Sequence, residues 1–189
     1  TGYPTFNLMD QTTNDPSKFL VYSGQREPSF TGGFNTTLSW KGFDVAMGFT
    51  FSYGAKLMNF NDYYCYNMEG SGNQYGVVRD RWKSDAEPGN GVTPRAFRHG
   101  NKNTGMKMSD RYIDDASYFR LSNITLGYNF QKPVLDAIPL KGLRVYVSGL
   151  NIYCFNDVDF WDPQISLTGA GAGNYPLTKS VVGGIEVSF

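Results

Sequence analysis

The sequence predicts an all-β chain of long antiparallel strands, and three observations carry that prediction. Period-two alternation recurs in "FTGGFNTTLSW", "FDVAMGFTFSY", "SNITLGYNF", "LRVYVSGLNIY" and "KSVVGGIEVSF", with an apolar side chain at every second position. Aromatic residues make up 16% of the chain and glycines number 22, a composition that favours strands and tight turns over helices. The connections between the alternating stretches run short, long, short, long, which consecutive antiparallel strands joined at two unlike ends require.

The first two stretches flank Lys41-Gly42, a two-residue turn in which glycine supplies a positive φ, so they read as a hairpin. With that turn, Trp40 pairs with Phe43, Leu38 with Val45, Thr36 with Met47, Phe34 with Phe49, Gly32 with Phe51 and Phe30 with Tyr53, all on one face. The intervening pairs, from Ser39 with Asp44 to Thr31 with Ser52, are small or polar. A one-residue slip would mix the two faces, so the register is set by the side chains themselves. In the third stretch Ile124, Leu126, Tyr128 and Phe130 oppose Asn123, Thr125, Gly127 and Asn129. In the fourth, Leu143, Val145 and Val147 oppose Arg144, Tyr146 and Ser148, and the alternation blurs from Leu150 onward. The fifth places Val181, Gly183, Ile185, Val187 and Phe189 on one face, and the strand stops on a bare phenylalanine.

Each hairpin strand is roughly eleven residues long, near the length that crosses a bilayer at a tilt and about twice the usual soluble strand. Aromatics stand at both ends of the apolar face, Trp40 and Phe43 at one and Phe30 and Tyr53 at the other, as two interfacial girdles require. A buried face in a soluble β-sandwich would be equally apolar, so the hairpin alone leaves both readings open. The connections favour the membrane: a long loop is foreign to a compact soluble domain, whereas barrels of the outer membrane have short periplasmic turns and long extracellular loops. The expected fold is therefore the C-terminal antiparallel strands of a large transmembrane β-barrel with long extracellular loops. Residues 1–29 would be an extracellular loop and the end of a preceding strand, 30–55 the hairpin, 56–117 a long extracellular loop, and 118–189 the last three strands with their loops. The terminus would be periplasmic. Five strands cannot close a barrel, because closed barrels begin at about eight, so the remaining strands would come from elsewhere.

Composition excludes several function classes. With 17 Lys+Arg against 17 Asp+Glu, no electrostatic case for a nucleic-acid partner exists. No run of about eighteen apolar residues offers a membrane helix, in keeping with a mean hydropathy of −0.39. No leader peptide opens the chain, which starts at "TGYPTFNLMD" as though cut from something longer. Cys65 and Cys154 support neither a disulfide framework nor a zinc site, and their spacing does not say whether they pair. His99 has no acidic or hydroxyl partner at a recognisable spacing, so no catalytic residue, metal site or cofactor is expected. Asp157, Asp159 and Asp162 in "NDVDFWDP" lack the glycine and glutamate of an EF-hand loop and read as a solvated acidic turn.

The candidate binding residues lie in "NFNDYYCYNMEGSGNQYGVVRDRWKSD" and in the later loop: Tyr63, Tyr64, Tyr66, Tyr75, Trp82 and Trp161. Rings that also carry a polar handle suit sugar faces and protein contact surfaces, and they equally suit packing within a loop. The lumen lining would come from Asn35, Asp44, Asn123, Asn129 and Glu186. A secreted soluble all-β carbohydrate-binding domain is the alternative, and a polymerising β-rich adhesion subunit a third.

"PSFTGGFNTTLSWKGFDVAMGFTFSYG", "ASYFRLSNITLGYNF", "LRVYVSGLNIY" and "DPQISLTGAGAGNYPLTKSVVGGIEVSF" resemble, in order and spacing, the C-terminal end of SusC/RagA-type TonB-dependent transporters of Bacteroidota outer membranes. The resemblance runs from about Gly24 to Phe189 with a divergent gap over the long loop. It implies a parent barrel of about 22 strands closed around a plug. That parent would import large nutrients, glycans or peptides, with energy from a TonB complex engaged by an N-terminal part absent here, under a SusD-like surface lipoprotein. It also implies that the last strand is a signal for the barrel assembly machinery, with Ile185, Val187 and Phe189 at its apolar and terminal aromatic positions.

Overall fold

The computed structural model describes residues 21–66, 72–96, 109–136, 140–158, 162–164, 175 and 177–189. Five long strands form one antiparallel sheet in the order of the chain: β1 (Phe30–Trp40), β2 (Phe43–Tyr53), then β5 (Tyr118–Asn129), β6 (Gly142–Asn156) and β7 (Ser180–Ser188). Two short strands, β3 (Lys56–Met58) and β4 (Ile113–Asp115), pair separately. The long segment between β2 and β5 also carries helix α1 (Phe60–Cys65) and 3-10 turns at Gly76–Asp80 and Asp110–Tyr112. The one-turn helix α2 (Lys132–Leu135) lies between β5 and β6.

The hairpin adopts the register that its alternation dictates, from Phe30 opposite Tyr53 to Trp40 opposite Phe43. Lys41 and Gly42 take φ of 48° and 92°, the paired positive values of a turn that matches strand twist. The two short connections are tied together. The Asn129 amide donates to the Gly42 carbonyl at 2.7 Å, and the Gln131 side chain donates to the Lys41 carbonyl at 3.1 Å.

One face stays apolar across all five strands, and two irregularities keep it so. Between Gly48 and Phe49, β2 runs without interruption; its neighbour β5 inserts Ser122 there, and β6 inserts Asn151 and Ile152. One extra residue moves the apolar positions of β5 from odd (Phe119, Leu121) to even (Ile124, Leu126, Tyr128). Two extra residues return β6 to odd, with Leu143, Val145 and Val147 before the bulge and Tyr153 and Phe155 after it. Asn151 makes the turn in the left-handed region at φ 52°. The blurred alternation after Leu150 is therefore a bulge.

The apolar face has aliphatic residues in the middle and rings at both ends. At the short-turn end Phe43, Tyr128 and Phe130 follow one another at centroid distances of 4.5 and 5.0 Å. At the other end Phe34, Phe49, Phe119 and Phe155 run across four strands at 4.8, 5.4 and 6.3 Å. Eleven residues of strand rise roughly 37 Å, which at a tilt near 40° spans about 28 Å, close to the ~25 Å apolar band of an outer-membrane barrel. Among the described residues no large side chain is fully buried, whereas Leu38 is 61% and Trp40 69% exposed. Such a face needs an apolar surrounding.

The chain divides into two compact units: a sheet unit, containing Gln25–Lys56 and the strands after Asp115, and a loop unit built on Leu57–Asp114. The loop unit has its own small core of Leu57, Val78 and Tyr112, with Asn59 and Thr93 also buried.

Candidate functional site

Two arrangements carry polar chemistry: the non-apolar face of the sheet, and a ring cluster in the loop unit. On the sheet, Asn35, Asp44, Asn123, Asn129 and Glu186 all fall on the face opposite the apolar band. Near the short-turn end Arg144 donates to Asp44 at 2.8 Å and to Glu186 at 3.2 Å, and the Asn129 side-chain amide donates to Asp44 at 2.7 Å. The ion pair crosses Gly127, where a Cβ would stand 2.6 Å from Asp44 and 2.8 Å from Arg144. The Tyr146 ring covers Gly184 in the same way. Glycines here admit long polar side chains flat against the strands.

At the opposite end Arg120 is held under cover, with its Nη2 donating to Asp162 at 2.5 Å and side-chain exposures of 4% and 10%. Its Nε has no partner among the described residues. Asp162 also accepts from the Gln164 amide, and the Gln164 side chain donates to the Tyr118 hydroxyl at 2.6 Å. Asp162, expected in a solvated acidic turn, is instead a buried anchor: the field of a covered guanidinium outweighs exposure to water. Asp159 lies outside the described residues. Cys154 and Cys65 are free thiols.

In the loop unit, Asn59 caps α1, its side chain accepting from the Asp62 amide and donating to Asp114 at 2.8 Å. The cap brings Tyr63 and Tyr64 onto one short helix with rings 5.3 Å apart, and Tyr63 meets Tyr112 edge-on at 5.5 Å. Tyr66 meets Tyr75 at 5.1 Å. Arg111 joins the two pairs, its guanidinium 5.8 Å from the rings of both Tyr66 and Tyr112. Burial, followed by the neighbouring Asp62 carboxylate, holds the Tyr75 hydroxyl protonated well above the usual tyrosine range. Burial likewise raises Tyr112. Tyr64 is the open member, 62% exposed.

Four of the six expected loop residues therefore form one cluster. Trp82 stands elsewhere, with Arg95 5.7 Å over its ring. Trp161 lies outside the described residues, as does His99. Spacing within the tyrosine-rich stretch gives no sign of Arg111 and Tyr112, which lie tens of residues further along; the paired β3 and β4 return them to α1. Ile185 and Val187 sit on the apolar face opposite Val145 and Leu143, and Phe189 follows the last paired residue, 82% exposed.

No family model matches the chain. Among curated proteins it is 29% identical over 177 residues to TonB-dependent receptor P3 of Formosa agariphila, covering 88% of this chain and 17% of that protein. It is 28% identical over 159 residues to TonB-dependent receptor SusC of Bacteroides thetaiotaomicron, covering 83% of this chain and 15% of that one. Among solved structures, a chain of the RagAB peptide transporter superposes with a TM-score of 0.72 at 26% identity, over 86% of this chain and 17% of that one. Over most of its length the chain is similar to part of SusC/RagA-type TonB-dependent transporters. It spans less than a fifth of the length of the SusC-type relatives it matches. The antiparallel all-β fold, like that of the RagA-type barrel, agrees with the fold expected from the sequence.

Proposed function

We propose that these residues form wall and outer loops of a TonB-dependent outer-membrane importer of large nutrients, oligosaccharide or peptide. The observation that carries the reading is the sheet: one apolar face with a ring belt at each end, one polar face, short turns at one end and long segments at the other. The polar face would line the lumen, with Asp44, Arg144 and Glu186 nearest the periplasm. The long segments would face outward, and the end of β7 inward. The rest of the barrel and a plug would complete the channel, a TonB complex would supply energy, and a SusD-like lipoprotein would cover the outer loops. Among these loops Tyr63, Tyr64, Tyr66 and Tyr75 supply the contact surface for lipoprotein or cargo. Names of relatives as TonB-dependent receptors and of a structural neighbour as a peptide transporter support the class. They leave the choice between glycan and peptide to experiment.

The test is electrophoresis of the native polypeptide carrying these residues, extracted from membranes in detergent and run with and without boiling. A band that shifts on boiling is expected of a closed barrel. A polypeptide that extracts without detergent and ignores boiling would replace this reading with a secreted carbohydrate-binding domain.

A further inference from the structure

The buried polar side chains described in the long strands, Ser52 at 8% and Arg120 at 3% exposed, both stand at the end of the polar face away from the short turns. Their cover includes chain that follows β6. Asn156, the last residue of β6, accepts the Val158 amide on Oδ1 at 3.0 Å and turns the chain off the strand, and Val158 is buried. Further on, Asp162 meets Arg120, Pro163 is buried, and Gln164 donates to the Tyr118 hydroxyl. Tyr118 and Arg120 flank Phe119 of the ring belt, so both contacts fall on the polar face. Residues 162–164 therefore lie against that face.

The charged part of this cover hangs on one contact. Arg120 reaches Asp162 through Nη2, while its Nε is buried with no partner among the described residues. A guanidinium under cover with an unmet donor costs free energy that a fully bonded one does not, and water would satisfy that donor if the segment lifted. An ion pair that favours the closed arrangement and an orphan donor that opposes it suit a contact that opens and closes. We infer that residues 162–164 are a latch, closed inward on the lumen wall at its outer mouth, which lifts when the Arg120–Asp162 pair breaks. Closed, it occupies wall along which a large nutrient would otherwise pass. The inference rests on the importer reading for the identity of the lumen; the latch itself is a contact within the sheet unit.

Cys154 stands opposite Arg120 across β5 and β6, half-buried on the same face, so its thiol reports the latch. The experiment is timed alkylation of the native detergent-solubilised polypeptide with a charged, water-soluble maleimide, Cys154 and Cys65 being read separately by peptide mass spectrometry. Native Cys154 should react far more slowly than in boiled protein. Asp162→Asn keeps the shape and removes the charge, leaving a covered guanidinium uncompensated, and should speed Cys154 alkylation about tenfold or more. Gln164→Ala removes the neutral tie and should speed it about two- to threefold, which keeps the test open if the first variant does not assemble. Cys65, outside the latch, should keep its rate, and unchanged heat-dependent migration shows that each variant keeps its fold. The inference is overturned if Cys154 reacts as fast in native as in boiled protein, or if both variants leave its rate at the native value. A native sample without a boiling shift counts against the barrel and not against the latch, whose protection of Cys154 is read independently.

Discussion

Gly127 lies under the Asp44–Arg144 ion pair, and the consequence is testable at one atom. Gly127→Ala would place its methyl carbon 2.6 Å from the Asp44 carboxylate, forcing the pair apart at a cost of about 1–3 kcal/mol. The boiling transition should move to lower temperature, and by less when Asp44→Ala is already present, because the pair is then gone. A full, additive loss in the double variant would mean that the methyl clashes with something else. Asp162 is the other single-residue dependency. Asp162→Ala leaves Arg120 covered and without its carboxylate, which should cost about 3–5 kcal/mol, whereas Arg120→Met with Asp162→Ala should cost less. Outside the long strands, a hydrogen bond from Lys56 and further ones from Ser117 hold the Asp115 carboxyl down at about 2. A depressed folded value stabilises above the ordinary value of 3.8 and is lost as pH falls through about 2, so the Lys56–Asp115 pair should persist at pH 4. A carboxyl titration by NMR checks this: a midpoint near 3.8 would remove the pair from the folded state.

Strands of this chain depend on counting. Ser122 adds one residue to β5 and Asn151-Ile152 add two to β6, and only those numbers keep rings and aliphatics on one face. Asn151 tolerates its left-handed φ of 52°, and a β-branched residue does not. Asn151→Val should therefore reduce the assembled, heat-shifting form several-fold in membranes, while Asn151→Gly should leave it near the native level. Equal yields would show that the bulge does not need that backbone. The hairpin register is legible in sequence because alternation is unbroken from Phe30 to Tyr53. The bulges are not, since a phase change in one strand has meaning only beside a neighbour that does not change.

At the scale of the whole sheet, β1 and β7 are open edges among the described residues and the apolar face is without cover there, which is what a segment of a larger closed sheet in lipid requires. Phe189→Asp should lower the amount of heat-shifting barrel in outer membranes if β7 ends in an assembly signal; an undiminished yield would end that role for Phe189. The sequence by itself determined the all-β class, the hairpin pairing, the apolar and polar faces and the tyrosine-rich loop, because each follows from spacing within one stretch of chain. Only the tertiary structure decided which distant residues meet: Arg111 and Tyr112 with the α1 tyrosines, Arg120 with Asp162, and Arg144 with Asp44 across Gly127. Those encounters depend on strand register and loop return over tens of residues, and local alternation carries no record of them.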